Sequence, residues 1–402
     1  MKHLIINSVG PITEADIQLR LLNVIIGPQS LGKSTVLKIA SYCTWVEKRI
    51  ELTQMPGFFN TDNNFISPLK TFHRMKDYFN EGSSIFYESD YLKFRYTYID
   101  NKFDFEWKDG RWKYRRTKVT YIPAERNLVA VIPNWFEVRM ERNNIWNFMS
   151  DWVTARNATT EQLQILNLNV AYQYDSERNR DVVSIQNGNT IDITDISSGL
   201  QSLIPLYVHL NYLCNGLYQT ENTQRLAGKW ENEDLLQIIY KELFENSGKT
   251  EAVHSVEREN ERGEIETTKI RYRKKIGSMS LLFTYPKYAD ECEDVYKQYL
   301  MTDHCEIFLE EPENNLFPPT QSRLIDWLYS MTTKEHKNVL FIATHSPYVL
   351  SVLLEKKSEN VAMFYCAEQA GRVVVKSASD NDMQVIYDYG VDAFFNIENL
   401  SE

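Results

Sequence analysis

The nine residues 27–35 constrain this chain more than any other segment. They read Gly-Pro-Gln-Ser-Leu-Gly-Lys-Ser-Thr and fit the pattern GxxxxGK[ST]. The segment follows an apolar β run at 22–26 and precedes a predicted helix from about 33 to 50, which is the context that a phosphate-binding loop requires. Glycines let successive backbone N–H groups surround phosphates, and the helix N-terminus adds its dipole. The sequence therefore predicts nucleotide binding by Gly27, Gln29, Ser30, Gly32, Lys33, Ser34 and Thr35.

Within this loop, two side chains have distinct expected tasks. Lys33 is expected to reach the β- and γ-phosphates, and the Ser34 hydroxyl to bind Mg²⁺. A second segment carries complementary groups, because the apolar run 307–309 leads directly into Glu310 and Glu311. Two carboxylates at a strand end are how a phosphate-binding ATPase presents a metal-side acid and a base that polarises water. His345 ends the next apolar run and is a candidate sensor of the γ-phosphate.

A fourth segment, 197–201, reads Ser-Ser-Gly-Leu-Gln at a predicted helix start. Hydroxyls, a glycine and free N–H groups form an anion-binding terminus. Taken alone, this segment favours an ordinary serine N-cap.

Composition narrows the class of protein. Hydrophobic residues make up 43% of the chain, which is typical of a folded globular protein. Its 402 residues are enough for two to three average domains, or for one large α/β domain with insertions. Five scattered cysteines with no CxxC spacing indicate neither a zinc site nor a disulfide framework, and favour a cytoplasmic location. Apolar runs are strand-sized, and no secretory signal follows Met1. A net charge of −11 disfavours non-specific binding along DNA.

The motifs together, in this order, resemble the ABC-type ATPase heads of the RecF/SMC/OLD superfamily, and most of all the ATPases of bacterial anti-phage systems such as PARIS or Septu. The residues 309–318, Leu-Glu-Glu-Pro-Glu-Asn-Asn-Leu-Phe-Pro, resemble the Walker B and D-loop of that superfamily, 197–201 its signature, and 344–347 its switch histidine. The resemblance implies an α/β ABC-type head with inserted antiparallel β ribbons and a helical subdomain. Three departures are visible: Glu310 where many members have Asp, Leu200 where a second Gly is common, and no Q-loop glutamine.

The resemblance also implies a mechanism. Two heads pack head-to-tail, so that Ser197, Ser198, Gly199 and Gln201 complete the partner's site in trans, while the phosphate loop, Glu310 as tentative metal ligand, and Glu311 and His345 as catalytic residues act in cis. ATP and Mg²⁺ are the implied cofactors, and a homo-oligomer and a separate effector protein the implied partners. Three functions compete: a defence ATPase that senses infection and controls an effector, a RecF-like DNA-repair clamp, and a slowly hydrolysing scaffold that sequesters a partner.

Five segments are expected along the chain. Residues 1–77 form the first part of the core, 78–192 a β-rich and helical insertion, 193–246 the signature helix and helical subdomain, 247–300 a charged ribbon and helix, and 301–402 the second part of the core. A hairpin is predicted at 107–112 and a helix over 135–158.

Several further patterns have two interpretations. Basic and aromatic residues at 111–116 and 271–275 form either a nucleic-acid track or the solvated faces of two β ribbons. Arg126 either touches phosphate or a partner, or forms a surface salt bridge. Asp380 and Asp382 are expected in a loop, because too few residues follow to complete a Toprim nuclease.

Overall fold

A computed structural model of the chain describes residues 2–132, 134–186, 188–217, 229–252, 254–259, 265–333, 336–356 and 360–389. The strands are β1 (Lys2–Val9), β2 (Ile12–Leu19), β3 (Leu22–Ile26), β4 (Phe79–Glu88), β5 (Leu92–Thr97), β6 (Lys102–Trp107), β7 (Thr117–Ile122), β8 (Leu163–Gln164), β9 (Ala171–Asp175), β10 (Arg180–Ser184), β11 (Thr190–Asp192), β12 (His254–Glu259), β13 (Ile265–Ile270), β14 (Tyr272–Ile276), β15 (Met279–Phe283), β16 (His304–Glu310), β17 (Val339–Ala343), β18 (Val361–Gln369) and β19 (Arg372–Ser377).

The α-helices are α1 (Lys33–Thr53), α2 (Ile66–Thr71), α3 (Leu128–Val131), α4 (Asn144–Ala158), α5 (Ser198–Asn211), α6 (Lys229–Tyr240), α7 (Pro286–Leu300), α8 (Pro318–Thr333), α9 (Pro347–Glu355) and α10 (Asp380–Tyr389). Single π-helical turns extend α5 over Tyr212–Gly216 and α6 over Lys241–Glu245.

An eleven-stranded mixed sheet organises the chain, in the order β6-β5-β4-β1-β2-β19-β18-β3-β17-β16-β7. The five strands from β18 to β7 run parallel, whereas β1, β2, β4, β5 and β6 pair antiparallel. Parallel strands are usually covered on both faces, and β3 is accordingly buried along its whole length. The predicted α/β fold with inserted antiparallel strands is confirmed.

Alternation along the parallel strands supplies two hydrophobic layers. In β3, Val24 and Ile26 pack with α4, α5, α8 and α9 on one face, while Ile25 packs with α1 on the other. In β16, Leu309 belongs to the first layer and Phe308 to the second. Because side chains alternate with a period of two, Glu306, Phe308 and Glu310 share the face that α1 covers.

Two smaller units adjoin the large sheet. Strands β8 to β11 form a four-stranded sheet, in which β9 and β10 form a hairpin around the turn at 175–180. A third apolar cluster joins α6, α7 and the β14–β15 hairpin. The charged ribbon expected after residue 250 includes the antiparallel pair β12–β13.

Three local predictions are wrong. The residues 107–112 do not form a hairpin: after β6, a 3₁₀ turn at Arg111–Lys113 leads to β7, which pairs parallel with β16 at the opposite edge of the sheet. The helix predicted over 135–158 begins at Asn144, where the Asn143 side chain accepts hydrogen bonds from two backbone N–H groups of the first turn.

The expected loop at Asp380 and Asp382 is instead the start of α10. The Asp382 carboxylate is buried and accepts hydrogen bonds from the backbone N–H and the hydroxyl of Ser379, at 2.8 and 2.7 Å. This reciprocal arrangement is a helix cap, because Ser379 in turn accepts from the Asp382 N–H. Asp382 therefore has a structural role.

The two basic and aromatic segments differ from each other. The Arg111 guanidinium lies between the rings of Trp107 and Trp112 and pairs with Glu242, and Tyr114 and Arg116 are buried. Lys113 and Arg115 remain exposed, so residues 111–116 alternate between packed and solvated side chains and form no continuous exposed track.

In the second segment, Lys274 pairs with Asp290 and Glu293 of α7, at 2.7 and 2.6 Å. Arg271, Tyr272 and Arg273 are exposed, which agrees with a solvated ribbon face. Among the helices in the part of the chain that the structure describes, none combines the length and the apolar character needed to cross a bilayer.

Candidate functional site

Residues 27–35, the candidate phosphate loop, connect β3 to α1 directly, as their sequence predicts. Gly27 and Gly32 adopt φ angles of 147° and 89°, which residues with a Cβ atom rarely adopt. A Cβ at Gly27 would lie 2.8 Å from the carbonyl oxygen of Cys366 on β18, so the loop also needs glycine for close packing. Pro28, Gln29 and Ser30 are exposed at the tip of the loop.

Lys33 lies in the first turn of α1 and folds back over the loop. Its Nζ donates to the carbonyl oxygens of Gly27 and Pro28, at 2.8 and 2.6 Å. Burial lowers the pKa of Lys33 to about 8, although Cys366, Glu311 and Glu313 oppose this shift. Next to it, the Ser34 side chain is exposed and Thr35 is buried. The loop thus holds a cation at its centre with an accessible hydroxyl beside it.

Glu310 ends β16 as a buried, oriented carboxylate. Its Oε1 accepts a hydrogen bond from the Tyr121 hydroxyl at 2.6 Å, and its Oε2 accepts from the Ala124 N–H at 3.3 Å. Tyr121 lies in β7 and Ala124 follows directly after it, and β7 is the neighbour of β16 in the sheet. No pattern in the sequence assigned Tyr121 a role, because the pairing of β7 with β16 joins segments nearly two hundred residues apart.

Glu311 differs from Glu310 in exposure and in backbone conformation. It adopts a φ of 43°, unusual for a residue with a side chain, and its N–H donates to the carbonyl of Ala343 at 2.8 Å. Strained backbone of this kind is found at functional sites, where the surrounding structure must compensate for it. The Glu311 side chain is 41% exposed, and its Oε1 lies 3.7 Å from the Nε2 of His345.

His345 is positioned by Glu313. The Glu313 Oε1 accepts from the His345 N–H at 2.7 Å and from the Thr344 hydroxyl at 2.9 Å. Its other oxygen is buried with no hydrogen-bond partner among the described residues. Sequence reasoning gave Glu313 no role, although its position three residues after Glu310 was a usable signal.

The pKa values of Glu311 and His345 are shifted by burial and by the charged groups around them. The pKa of Glu311 is raised by burial and by the neighbouring Glu313 and Glu310. The pKa of His345 is lowered by burial and by Lys33. A carboxylate with raised pKa beside a neutral imidazole is typical of a site that moves a proton near neutral pH.

Arg126 anchors the loop that carries these carboxylates. It is 1% exposed, and its guanidinium donates to the carbonyl oxygens of Glu310 and Glu311, at 2.9 and 2.7 Å. Longer bonds reach Pro123 and Pro312. The alternative of a surface salt bridge is therefore wrong, because the chain turns inward after β7 and buries this residue. Five donors in a planar fork suit several carbonyls at once.

The segment 197–201 begins α5, as predicted. Ser197 and Ser198 are exposed, and Ser197 occupies the N-cap position without a hydrogen bond from its side chain. The Gln201 amide donates to the Thr194 carbonyl at 2.8 Å, and a Cβ at Gly199 would lie 3.0 Å from the Asn315 carbonyl. The Asn315 amide in turn donates to Ser202 at 2.9 Å. The α5 start thus packs against the loop after Glu311.

Comparisons with known proteins give similarity in structure and not in sequence. No family model and no curated protein matches this chain. One similar solved structure is an SmcHead bound to the C-winged helix domain of ScpA: it is 7% identical, covers 94% of this chain and 98% of its own, and has a TM-score of 0.37. Another is an Smc head domain with an extended coiled coil, bound to the C-terminal domain of ScpA derived from Pyrococcus furiosus. It is 10% identical, covers 96% of this chain and 99% of its own, and has a TM-score of 0.31.

Proposed function

We propose that this chain binds Mg²⁺-ATP at residues 27–35 and hydrolyses it, with Glu311 as the general base. The observation that carries the proposal is the convergence of Lys33, Glu311 and His345. Glu311 lies 3.7 Å from His345, and the charge of Lys33 acts on the pKa of both. A phosphate-gripping cation beside a carboxylate of raised pKa is what hydrolysis of a phosphoanhydride requires.

The residues present suit a magnesium ion. The exposed Ser34 hydroxyl and the Glu310 carboxylate offer oxygen ligands, which Mg²⁺ prefers. Tyr121 and Ala124 each occupy one site on a Glu310 oxygen, which orients the carboxylate and leaves it free lone pairs. A bound Mg²⁺ would neutralise charge on the phosphates. The chain's own groups then divide the work: Lys33 grips phosphate, Glu311 takes a proton from water, and His345 contacts the γ-phosphate.

The test of this assignment compares two substitutions. Lys33→Ala is expected to abolish ATP binding, because the central cation of the loop is lost. Glu311→Gln is expected to bind ATP normally and to block turnover. Nucleotide affinity by calorimetry and phosphate release measure the two properties separately. Loss of hydrolysis without loss of affinity in Lys33→Ala would contradict the proposed grip.

We further propose that the site is completed by a second copy of the chain, with Ser197, Ser198, Gly199 and Gln201 facing the partner's nucleotide. Support comes from Ser197 and Ser198, which are exposed at the start of α5. ATP would then close a dimer, and hydrolysis would reopen it.

Subunit mixing tests the shared site. Ser198→Arg is expected to bind ATP but not hydrolyse it, because the bulky cation blocks the facing site. Mixed with Lys33→Ala protein, it is expected to regain activity in heterodimers, where one composite site is intact. Ser176→Arg, on the exposed turn after β9, is the matched control and is expected to remain active. No recovery despite verified subunit exchange would contradict the arrangement.

The output we propose is an ATP-operated switch of anti-phage defence that acts on a separate effector protein. This rests on the resemblance of residues 309–318 and 344–347 to defence ATPases. The purified chain is expected neither to cut nor to modify plasmid, single-stranded DNA or tRNA in the presence of ATP and Mg²⁺ or Mn²⁺. Capture of an effector by Glu311→Gln but not by Lys33→Ala supports the switch, whereas strong stimulation of hydrolysis by DNA favours a repair clamp.

A further inference from the structure

A cavity of about 460 Å³ lies between α1 and β7, apart from the phosphate loop. Helix α1 contributes Tyr42, Trp45 and Lys48 to its lining, and the edge strand β7 contributes Lys118 and Tyr121. This volume falls within the range of about 300–1,000 Å³ that small-molecule sites occupy. The cavity is therefore large enough for a ligand of the size of a metabolite.

Aromatic rings form much of the cavity wall. Tyr42 and Trp45 stack at 5.7 Å, and His73 makes edge contacts with Phe72 at 4.9 Å and with Tyr121 at 5.6 Å. Rings that already pack on each other hold their orientation without further cost in entropy. Such a wall favours a planar ligand group, because rings gain from stacked and edge-to-face contacts.

The polar groups in the lining leave one positive charge uncompensated. Lys118 pairs with Asp151 at 3.2 Å, and His73 is neutral because burial lowers its pKa to about 3. Within the described part of the chain, the Lys48 ammonium has no carboxylate partner. Burial, together with repulsion from Arg116 and Lys118, lowers the pKa of Lys48 to about 7. A half-buried cation without a partner is unfavourable, and an anion in the cavity would supply the missing partner.

We propose that this cavity binds a small planar organic anion, with its ring among the aromatic walls and its charged group on Lys48. The site is separate from the nucleotide site but adjoins it through one residue. The ring of Tyr121 lines the cavity, and the hydroxyl of the same residue donates to Glu310. The ligand is thus expected one side chain away from the Glu310 carboxylate.

Calorimetry on nucleotide-free protein, at slightly acidic pH so that Lys48 is protonated, tests the site independently of the proposed ATPase. The probes are indole-3-acetate, its neutral isostere indole-3-acetamide, and acetate. Indole-3-acetate is expected to bind about tenfold or more tightly than the amide, since a charge-assisted hydrogen bond is lost in the amide. Acetate is expected to bind more weakly still, because it lacks the ring.

Variants locate the anion. Lys48→Met keeps the apolar stem and is expected to abolish the preference for the acid over the amide. Arg49→Met removes the neighbouring cation of α1, which lies over the Phe58 ring outside this cavity, and is expected to leave the preference unchanged. Lys33→Ala is also expected to leave it unchanged. Thermal unfolding of each variant verifies that it is folded.

Four outcomes would overturn the proposal. They are equal binding of acid and amide by the wild type, no binding of either ring compound, an unchanged preference in Lys48→Met, and loss of the preference in Lys33→Ala. The first two need no variant, so they apply even where a substitution prevents folding. The last would place the anion at the phosphate loop instead.

Discussion

The two ends of β16 carry the same residue type on the same face and treat it in opposite ways. At the amino end, Glu306 is buried and pairs with Lys2 at 2.6 Å, while His304 lies 3.6 Å away. At the carboxyl end, Glu310 accepts hydrogen bonds from neutral groups. Glu311 is half exposed and faces His345. Glu306 is thus paired with positively charged side chains, whereas Glu310 is hydrogen-bonded by neutral groups.

The pKa values reflect this difference. Lys2 and His304 hold the pKa of Glu306 at about 2 despite its burial, whereas burial and two neighbouring carboxylates raise the pKa of Glu311. Buried charges that are paired contribute to a single folded arrangement and are unreactive. At Glu311 the nearby Arg126 and Lys33 do not offset burial and carboxylate repulsion, so this carboxylate is the one expected to exchange a proton.

The largest expected effect is on hydrolysis. Glu311→Gln is expected to lower the rate of ATP hydrolysis by about 10²–10⁴-fold, the usual contribution of a general base. The folded state should be retained, because this side chain is partly exposed. Phosphate release measures the rate, and Glu106→Gln on the exposed edge of β6 serves as the control. Turnover near that of the wild type would remove Glu311 as the base and make Glu310 the candidate.

The second effect concerns stability at the opposite end. Lys2→Met is expected to lower the free energy of unfolding by about 3–5 kcal/mol, because it leaves Glu306 and Glu47 buried without their cation. Urea unfolding measures this change. Lys93→Met, which breaks the exposed pair with Glu106, is the control and is expected to cost less than about 1 kcal/mol. Equal effects in the two variants would mean that the buried Lys2 pairs stabilise the fold no more than the exposed Lys93 pair does.

The third effect is the pH dependence of stability. Asp303 and Glu306 raise the pKa of His304 to about 9, although burial opposes them. A group whose pKa is raised on folding stabilises fully below its unfolded pKa of about 6.5, and that stabilisation is lost as the pH rises through about 9. The loss is at most about 3 kcal/mol. Unfolding free energies measured from about pH 6 to about pH 10 should fall for the wild type and stay flatter for His304→Gln.

The smallest effect tests the nucleotide end through Lys33. With a pKa of about 8 in the free protein, Lys33 loses its charge above that pH. Bound phosphate favours the charged form, so ATP affinity is expected to fall as the pH rises above 8, by up to about tenfold per pH unit. Lys33→Met lacks the titrating group, so any residual ATP binding by this variant is expected to show no such slope. A pH-independent affinity in the wild type would separate Lys33 from phosphate binding.

Local patterns were sufficient for much of the fold. The apolar run at 22–26, the glycine loop and the following helix lie in one short stretch, and they appear in the structure as predicted. The apolar runs before Glu310 and His345 likewise lie on strands, β16 and β17. The hairpin at 107–112 failed because a turn signal does not reveal which strand the next segment pairs with, and β7 pairs across the sheet with β16.

In the candidate site, the sequence by itself determined which residues could act: a cation after the second glycine, two carboxylates at a strand end, and a histidine after the next strand. Their chemistry is local, so residue type and spacing suffice to name them. Only the tertiary structure decided how each is set. Arg126 is buried against the carbonyls of Glu310 and Glu311, and Glu313 orients His345. These contacts join segments far apart in the chain, and pairing across a sheet is not written in the spacing of neighbouring residues.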